Sequence, residues 1–286
     1  MNIGIIGLGL IGGSLGKAFK AKTSHQIFGR DIAGDVMQKA ELSGVIDSRL
    51  TDRNIGEIDA LIYAVTPKVF VSEGGARTTA PLLKNGAVVC DIAGTKRLVT
   101  EEMKRLSALY PALGFISTHP MAGREMSGIA ASTAKLFEGA SLLITPVAAS
   151  DAAVSAITRL FLETGFGSVK MTSAEEHDKI IAYTSQLAHV VSSCYIASPT
   201  AELHHGFSAG SFLDLSRVAK LNADMWTGLF LENKDCLLPE LDGIISRLKE
   251  MRKMIAAQDR QALFDVLDKN AAKKIEIDKT DRALKK

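Results

Sequence analysis

The chain has 286 residues, of which 47% are hydrophobic and only 7 are proline, so it is long enough to bury a large core and to form two domains. Its 34 basic and 32 acidic residues are spread along the whole chain, which excludes a nucleic-acid-binding or membrane-attracting face and favours a small molecule as the partner. The three cysteines are far apart and odd in number, and no apolar run approaches about 18 residues, which predicts a soluble cytoplasmic protein without disulfides, a metal site or a membrane span.

Up to about residue 172, short apolar runs alternate with amphipathic segments. Such continuous apolar strands, alternating with helices, are typical of a largely parallel sheet that is covered on both faces. The pattern therefore predicts an α/β domain with a doubly wound, Rossmann-type sheet. The predicted strands are NIGIIG, HQIFGR, DALIYAV, AVVCDI, GFISTH, ASLLITP and GSVKMT.

A glycine-rich loop follows the first predicted strand and opens a helix. Gly7, Gly9 and Gly12 have the G-x-G-x-x-G spacing. In this context the first glycine allows a tight turn, the second lets the backbone approach a pyrophosphate, and the third lets the helix pack on the strand. The helix N-terminus then faces the phosphates of a dinucleotide. The predicted cofactor-binding loop consists of Gly7, Leu8, Gly9, Leu10, Ile11 and Gly12.

Asp31 ends the second predicted strand, nineteen residues after Gly12. A carboxylate there accepts hydrogen bonds from the adenosine ribose and repels a 2′-phosphate, which favours NAD. NADP remains possible, since Arg30 either pairs with a 2′-phosphate or stacks on adenine. Thr66 and Pro67 follow another strand at the carboxyl edge, where ligands of such sheets bind.

His119 ends the predicted strand GFISTH and emerges at the same edge as the glycine loop. A histidine there can accept a proton from a substrate hydroxyl while hydride leaves for NAD, so we predict that His119 is catalytic. The alternative is a histidine that only stabilises its loop. Thr95 and Lys96 leave the preceding strand near this edge, where they either bind substrate or cofactor, or form a capped helix start with a solvated lysine.

Beyond residue 172 the pattern is helical to the end, which predicts a second domain over residues 173–286. Ser173 and Glu176 have the spacing of a capping box at its first helix. Along this helix Gln186, His189 and Ser193 form a polar line. These groups either satisfy one another in the core or face a polar ligand.

Two later segments of the helical region are informative. Arg217 follows Asp214 by three residues, so it forms either a local ion pair or a bidentate clamp on a substrate carboxylate. Further on, an apolar stripe recurs at helical spacing and predicts either internal packing or a homodimer interface. The stripe comprises Leu241, Ile244, Ile245, Leu248, Met251 and Ile255.

These motifs together resemble the prephenate and arogenate dehydrogenase family of tyrosine biosynthesis, from residue 2 to roughly residue 275. The resemblance is carried by GLGLIGGSLG, GRD, THPMAG with Glu125-Met126-Ser127-Gly128, SQLAH, and SRVAKLNADMW with FLENK. It implies a Rossmann domain, an all-helical dimerisation domain, and NAD(P)-dependent oxidative decarboxylation of prephenate to 4-hydroxyphenylpyruvate, or of arogenate to tyrosine.

The resemblance also implies roles for particular residues. His119 matches the family's catalytic histidine, Arg217 its substrate-binding arginine, and His189 a histidine of the substrate pocket. Family members often carry a serine at the place of Gly94, so its contact is either lost or supplied by Thr95. Gln186 stands where the family often has histidine, and we expect it to contact substrate.

Two functions other than prephenate or arogenate oxidation are compatible with parts of the sequence. A β-hydroxyacid dehydrogenase would use a lysine on the first interdomain helix, where Lys179 lies in AEEHDKII, a segment that reads as a solvated first turn. A non-enzymatic NAD-sensing protein would need neither a base at His119 nor a carboxylate clamp. Turnover of prephenate with NAD separates the three.

Overall fold

The structure is a computed structural model that describes residues 1–124 and 126–284. Glu125, one of the residues that carry the family resemblance, lies outside the described residues. The chain divides into two compact units, Met1–Lys234 and Asp235–Lys286.

The first unit is built on an eight-stranded sheet, with the order β3-β2-β1-β4-β5-β6-β7-β8. Every neighbouring pair is parallel except β6 and β7, which are antiparallel. The expected doubly wound, largely parallel sheet is therefore confirmed. Its strands are β1 (Asn2–Ile6), β2 (Gln26–Arg30), β3 (Ser48–Arg49), β4 (Ala60–Tyr63), β5 (Val88–Asp91), β6 (Gly114–Pro120), β7 (Ser141–Ala148) and β8 (Ser168–Met171).

Helices cover both faces of this sheet. Those of the first unit are α1 (Leu10–Lys22), α2 (Gly34–Leu42), α3 (Pro67–Val71), α4 (Ala76–Thr79), α5 (Arg97–Leu109), α6 (Asp151–Leu162), α7 (Ala174–Ile181), α8 (Ala188–Ile196), α9 (Gly210–Ser216) and α10 (Ala223–Glu232). Short 3₁₀ turns join several of them, and a π-helix, Ala182–Leu187, continues α7 into α8.

The core shows why the strands are apolar throughout. Successive side chains of a strand point to opposite faces, so a strand that is covered on both sides needs apolar residues at every position. In β4, Ile62 packs with α1 and α6 on one face, and Leu61 packs with α3 and α5 on the other. The two hydrophobic clusters hold the carboxyl ends of β1, β4, β5 and β6 at one edge.

Two features were not predicted from the sequence. Strand β3 has only two residues, which is too short for a hydrophobic pattern to be recognised in the sequence. It pairs with β2 at the sheet edge. The direction of β7 is reversed relative to β6, a relation that apolar content does not encode. As a consequence, the amino end of β7 lies beside the carboxyl end of β6, with Leu143 opposite His119.

The second unit contains α11, whose range is Lys234–Ala256, and α12 (Arg260–Leu284). Several apolar side chains of these helices are exposed: Ile245, Leu248, Ile255, Phe264, Leu267, Ile275 and Ile277. No helix of residues 1–124 and 126–284 is both long enough and apolar enough to cross a membrane.

The domain boundary at residue 172 stays a prediction. The last strand ends at Met171, and the described elements after it are helical. The helices up to Lys234 nevertheless belong to the same compact unit as the sheet.

Candidate active site

The glycine loop forms an open cradle at the end of β1. Gly7 has a φ of +91°, and a Cβ on it would lie 2.5 Å from the carbonyl oxygen of Ala64. A Cβ on Gly12 would lie 1.9 Å from the carbonyl oxygen of Gly7, so helix α1 and the loop touch directly there. Gly9, in contrast, has no atom within 4 Å of its Cβ position. The loop thus leaves space at the amino end of α1, which fits the pyrophosphate of a dinucleotide.

Asp31 lies just after β2 and supports this loop. Its Oδ2 accepts a hydrogen bond from the backbone N–H of Leu8 at 2.7 Å, and its Oδ1 accepts one from Ala33 at 2.9 Å. The neighbouring Arg30 donates to the carbonyl oxygen of Leu50 and to Asp52. The carboxylate therefore lies beside the cradle, while the guanidinium of Arg30 is bound to residues that follow β3.

Thr66 and Pro67 lie at the same edge, where β4 ends. Thr66 is the exposed N-cap residue of α3, and Pro67 is buried in the first turn of that helix. Proline suits this place because its missing N–H would have no partner there in any case. The two residues begin a helix beside the predicted cofactor site.

His119 is the penultimate residue of β6, just before that strand ends at this edge of the sheet. Its ring is half-buried, and its Nδ1 lies 2.8 Å from Nε2 of His177 on α7. Among the residues that the structure describes, Nε2 of His119 has no hydrogen-bond partner. Burial, the Lys96 ammonium and His177 hold the pKa of His119 well below its usual 6.5, so the imidazole is neutral at neutral pH.

His177 in turn contacts Asp178. Nδ1 of His177 lies 2.8 Å from Oδ1 of Asp178, and both side chains are buried. The carboxylate also accepts hydrogen bonds from the backbone N–H groups of Lys96 and Arg97, at 2.7 and 3.0 Å. One side of the start of α7 is therefore packed against the start of α5, while Glu175 and Glu176 are exposed, as expected for a solvated first turn. Lys179, next along α7, is exposed.

Lys96 is buried beside this chain of contacts. Its Nζ lies 2.6 Å from Oδ2 of Asp91 and 2.6 Å from the carbonyl oxygen of Thr118, and its side chain is 1% exposed. Asp91 also accepts a hydrogen bond from the hydroxyl of Ser117. Of the two alternatives for Lys96, the solvated lysine is wrong, because the ammonium crosses the end of the sheet from β5 to β6. Desolvation lowers the pKa of Lys96, and the adjacent Asp91 opposes that effect.

Thr95 donates its hydroxyl to Glu232 of α10 at 2.9 Å and is buried. Burial raises the pKa of Glu232, although the hydrogen bond from Thr95 opposes this. At the preceding position, a Cβ on Gly94 would meet Leu229 at 3.4 Å, an ordinary contact. The side chain that hydrogen-bonds to His119 in this structure is that of His177.

The π-helix after α7 turns Gln186 into the interior. Its side-chain amide donates to the carbonyl oxygen of Leu229 at 2.9 Å and accepts from Asn233 at 2.8 Å. Asn233 also donates to the carbonyl oxygen of Asp178 and accepts from Arg97. Gln186 is thus satisfied in the interior, but by Leu229 and Asn233 and not by His189 or Ser193. Its contact with substrate stays a prediction, and π-helical turns are frequent at functional sites.

His189 and Arg217 lie in the part of the first unit built from α8, α9 and α10. His189 is half-buried, its Nδ1 lies 2.8 Å from the carbonyl oxygen of Ser185, and its ring stacks on Trp226 at 3.9 Å between centroids. Arg217 is exposed, and its 3₁₀ turn packs against α8. Ser193, the third member of the predicted polar line, is exposed, because the π-helix changes the phase between Gln186 and α8.

The sequence analysis did not identify four polar residues of this site: His177, Asp178, Glu232 and Asn233. A signal for the first two was present. His177 and Asp178 lie one turn before Ile181 on the buried side of α7, where polar side chains need partners.

Two family models match the chain. Residues 15–184 match the nucleotide-binding domain of prephenate dehydrogenase, and residues 173–269 match the prephenate dehydrogenase dimerization domain. The two matches together cover strands β2 to β8, the polar residues around His119, and most of the helical region, while β1 and the glycine loop precede the matched residues.

Individual proteins are similar over nearly the same span. The cyclohexadienyl dehydrogenase of Zymomonas mobilis is 31% identical, with 99% of this chain and 98% of that protein aligned. The prephenate dehydrogenase of Bacillus subtilis is 31% identical, over 91% of this chain and 71% of that protein. The structure of prephenate dehydrogenase from A. aeolicus in complex with hydroxyphenyl propionate and NAD+ superposes with a TM-score of 0.81 at 25% identity, covering 97% of this chain and 98% of that one.

Proposed function

Because this chain belongs to the prephenate dehydrogenase family, we propose that it catalyses the oxidative decarboxylation of prephenate to 4-hydroxyphenylpyruvate with NAD. The observation that carries the proposal is the position of His119, whose Nε2 has no hydrogen-bond partner among the described residues and lies at the sheet edge that also holds the glycine loop. Arogenate is the second candidate substrate, since it differs from prephenate only in its side chain.

NAD supplies the hydride acceptor when it is bound. The cradle of Gly7, Leu8, Gly9, Leu10, Ile11 and Gly12 would hold its pyrophosphate, because backbone N–H groups and the amino end of α1 favour an anion there. Asp31 would lie against the adenosine ribose. Thr66 and Pro67, at the end of β4, would border the cofactor on the neighbouring strand.

His119 would take the proton of the substrate's ring hydroxyl. As the C–H bond of that carbon breaks, its oxygen gains carbonyl character and its proton becomes acidic, so an acceptor stabilises the transition state more than the ground state. The ring then loses carbon dioxide and becomes aromatic, and the proton returns from Nε2 to the ring oxygen to give a phenol. The low pKa of His119 keeps Nε2 unprotonated before each turnover.

The substrate's carboxylates would be held by the helical residues. Arg217 presents a planar fork of donors that matches a carboxylate. His189, at the stacked Trp226, Gln186 and Thr95 are the other predicted contacts. Binding in one orientation supplies much of the barrier reduction, because aromatisation already favours decarboxylation.

The protein would act as a cytoplasmic homodimer. The match to a dimerization domain and the exposed apolar side chains of α11 and α12 support association through the helical region, proposed as residues 173–286, with residues 1–172 binding the cofactor. An interface of apolar side chains from both copies would remove this surface from water.

Parallel assays with prephenate and arogenate, each with NAD and NADP, test the proposed function. We expect the highest kcat/KM with prephenate and NAD, with formation of carbon dioxide and reduced cofactor in equal amounts. Cofactor binding without turnover of either substrate would contradict the proposal and favour an NAD-sensing protein. Turnover of a β-hydroxyacid in place of both substrates would favour a β-hydroxyacid dehydrogenase.

Changing Asp31 tests the cofactor preference. Asp31→Asn removes the charge that would repel a 2′-phosphate but keeps an oxygen that can accept from Leu8, so the ratio of kcat/KM for NADP over NAD should rise about tenfold. Asp31→Ser is the control, since it loses both the charge and the contact with the loop. An unchanged ratio in both variants would exclude Asp31 from cofactor selection.

Changing Arg217 tests the carboxylate clamp. Arg217→Lys keeps the charge but loses the planar fork, so KM for prephenate should rise about tenfold, which corresponds to ~1.4 kcal/mol. The KM for NAD and the circular dichroism spectrum should not change. Asp214→Asn, on the preceding helix α9, removes the carboxylate of the alternative ion pair and should leave KM for prephenate nearly unchanged. Unchanged KM in a folded lysine variant would show that Arg217 has no part in substrate binding.

A further inference from the structure

We propose that His177 and Asp178 position His119 and determine which of its ring nitrogens carries the proton. The proposal rests on the proposed function, because it explains how His119 is prepared to take a proton. The evidence is the continuous line of contacts from His119 to His177 to Asp178, at 2.8 Å for each step. In this reading His177 and Asp178 do not touch substrate, and they act through His119.

The direction of the hydrogen bonds follows from Asp178. Burial raises the pKa of Asp178, but hydrogen bonds from His177, Arg97 and Lys96 outweigh it, and its pKa is below the usual 3.8. An ionised carboxylate only accepts, so Nδ1 of His177 donates to Asp178. Burial also lowers the pKa of His177, so this ring is neutral and its Nε2 accepts. Nδ1 of His119 must therefore donate to His177.

This arrangement selects one tautomer of His119. A neutral imidazole that carries its proton on Nδ1 has its lone pair on Nε2, the nitrogen proposed to face the substrate hydroxyl. In the other tautomer, lone pairs of His119 and His177 would face each other at 2.8 Å with no proton between them. That repulsion disfavours the unproductive form.

The line of contacts is held rigidly at its far end. The carboxylate of Asp178 accepts from the backbone of Lys96 at 2.7 Å, from the backbone of Arg97 at 3.0 Å, and from Nε of Arg97 at 3.3 Å. Asp178 and His177 are each 1% exposed, so water does not compete for these bonds. The ring of His177 is thus fixed, and with it the ring plane of His119.

Charged groups from both α5 and the sheet surround the two histidines. The ammonium of Lys96 opposes protonation of either ring, whereas Asp178 and Asp91 favour protonation of His177. When His119 takes the substrate proton, its Nδ1–H bond to His177 becomes charge-assisted and strengthens. The proton then returns to the ring oxygen, so His177 and Asp178 end the cycle unchanged.

Two substitutions of His177 separate positioning from simple packing. His177→Leu should lower kcat by roughly 10- to 100-fold while KM for prephenate and NAD changes less than about threefold. It should also move the acid limb of the kcat/KM profile to higher pH, because His177 is one of the groups that hold the pKa of His119 below its usual value. His177→Gln offers an amide oxygen to Nδ1 of His119 and should restore kcat to within about fivefold of wild type.

A matched control removes another histidine with a carboxylate partner. His25 contacts Glu163 at 2.9 Å, near the amino end of β2, and His25→Leu should leave kcat and the acid limb unchanged. Equal rates for the leucine and glutamine variants of His177, or a lower rate with an unmoved acid limb, would overturn the positioning role. Failure of the proposed function itself would show differently, as full activity in His119→Asn or no turnover in wild type.

The tautomer can also be observed without turnover. Two-bond proton–nitrogen spectra of the ¹⁵N-histidine-labelled protein at pH 8 should show the proton of His119 on Nδ1, with the signals assigned by comparison with His119→Asn. This readout uses the wild-type protein and so does not depend on whether the His177 variants fold. A proton on Nε2 of His119 would refute the proposal.

Discussion

His119→Asn is expected to lower kcat by about 10²–10⁴-fold while binding of NAD and prephenate stays nearly normal. The asparagine amide can reach the place of Nδ1 and still donate to His177, but nothing replaces Nε2. The variant therefore removes the proton acceptor and keeps the contact that orders the site. Steady-state kinetics, with cofactor binding measured by fluorescence titration, check this result.

The pH dependence gives an independent test of the same residue. Because burial, Lys96 and His177 lower the pKa of His119, the neutral form persists below pH 6.5, and activity should decline only at lower pH. His119→Gln is the control, since its amide oxygen accepts a hydrogen bond without being basic. A glutamine variant near wild-type kcat would mean that His119 serves as a hydrogen-bond acceptor, and a near-wild-type asparagine variant would exclude His119 from the chemistry.

Lys96→Met is expected to lower the free energy of unfolding by about 3–5 kcal/mol. The substitution preserves most of the side-chain volume but leaves the buried carboxylate of Asp91 without its cation, and the carbonyl oxygen of Thr118 loses a donor. Both side chains of the ion pair are 1% exposed, so water cannot replace the ammonium without opening the end of the sheet. Urea unfolding, followed by circular dichroism, measures the change.

Lys84→Met is the matched control for this prediction. Lys84 pairs with Asp59 at 2.6 Å, but the two side chains are 42% and 34% exposed, so its loss should cost less than about 1 kcal/mol. The double variant Lys96→Met with Asp91→Asn should be more stable than the sum of its single changes predicts, because no buried charge is left unpaired. Equal costs for Lys96→Met and Lys84→Met would show that the buried pair contributes no more than the exposed one.

Seven of the eight strands, the glycine loop and the place of His119 could be predicted from the sequence, because each depends on local information. A strand buried on both faces must be apolar throughout, and GLGLIG needs glycines where α1 touches the loop, as the 1.9 Å approach at Gly12 shows. Once the strands are parallel, their carboxyl ends meet at one edge, so the residues at the end of GFISTH had to lie near the loop.

The sequence was less informative where a polar residue has two possible surroundings. For Lys96 a solvated side chain and a ligand contact were both open, and only the packing of β5 against β6 reveals that its ammonium is buried. Gln186 had two open alternatives, and the π-helix, which periodicity does not predict, decided its contacts.

The sequence by itself therefore determined most of the sheet, the glycine loop and the histidine at the sheet edge, since hydrophobic period and motif spacing specify them. Strand β3 and the antiparallel direction of β7 were not among these features. Only the tertiary structure decided which groups surround that histidine. His177 is 58 residues from His119 in the chain, and Glu232 is 137 residues from Thr95. Such pairs form because α7 packs against the end of β6 and α10 packs against the segment between β5 and α5, and these positions depend on the packing of many side chains at once. No local pattern within α7 or α10 specifies that packing.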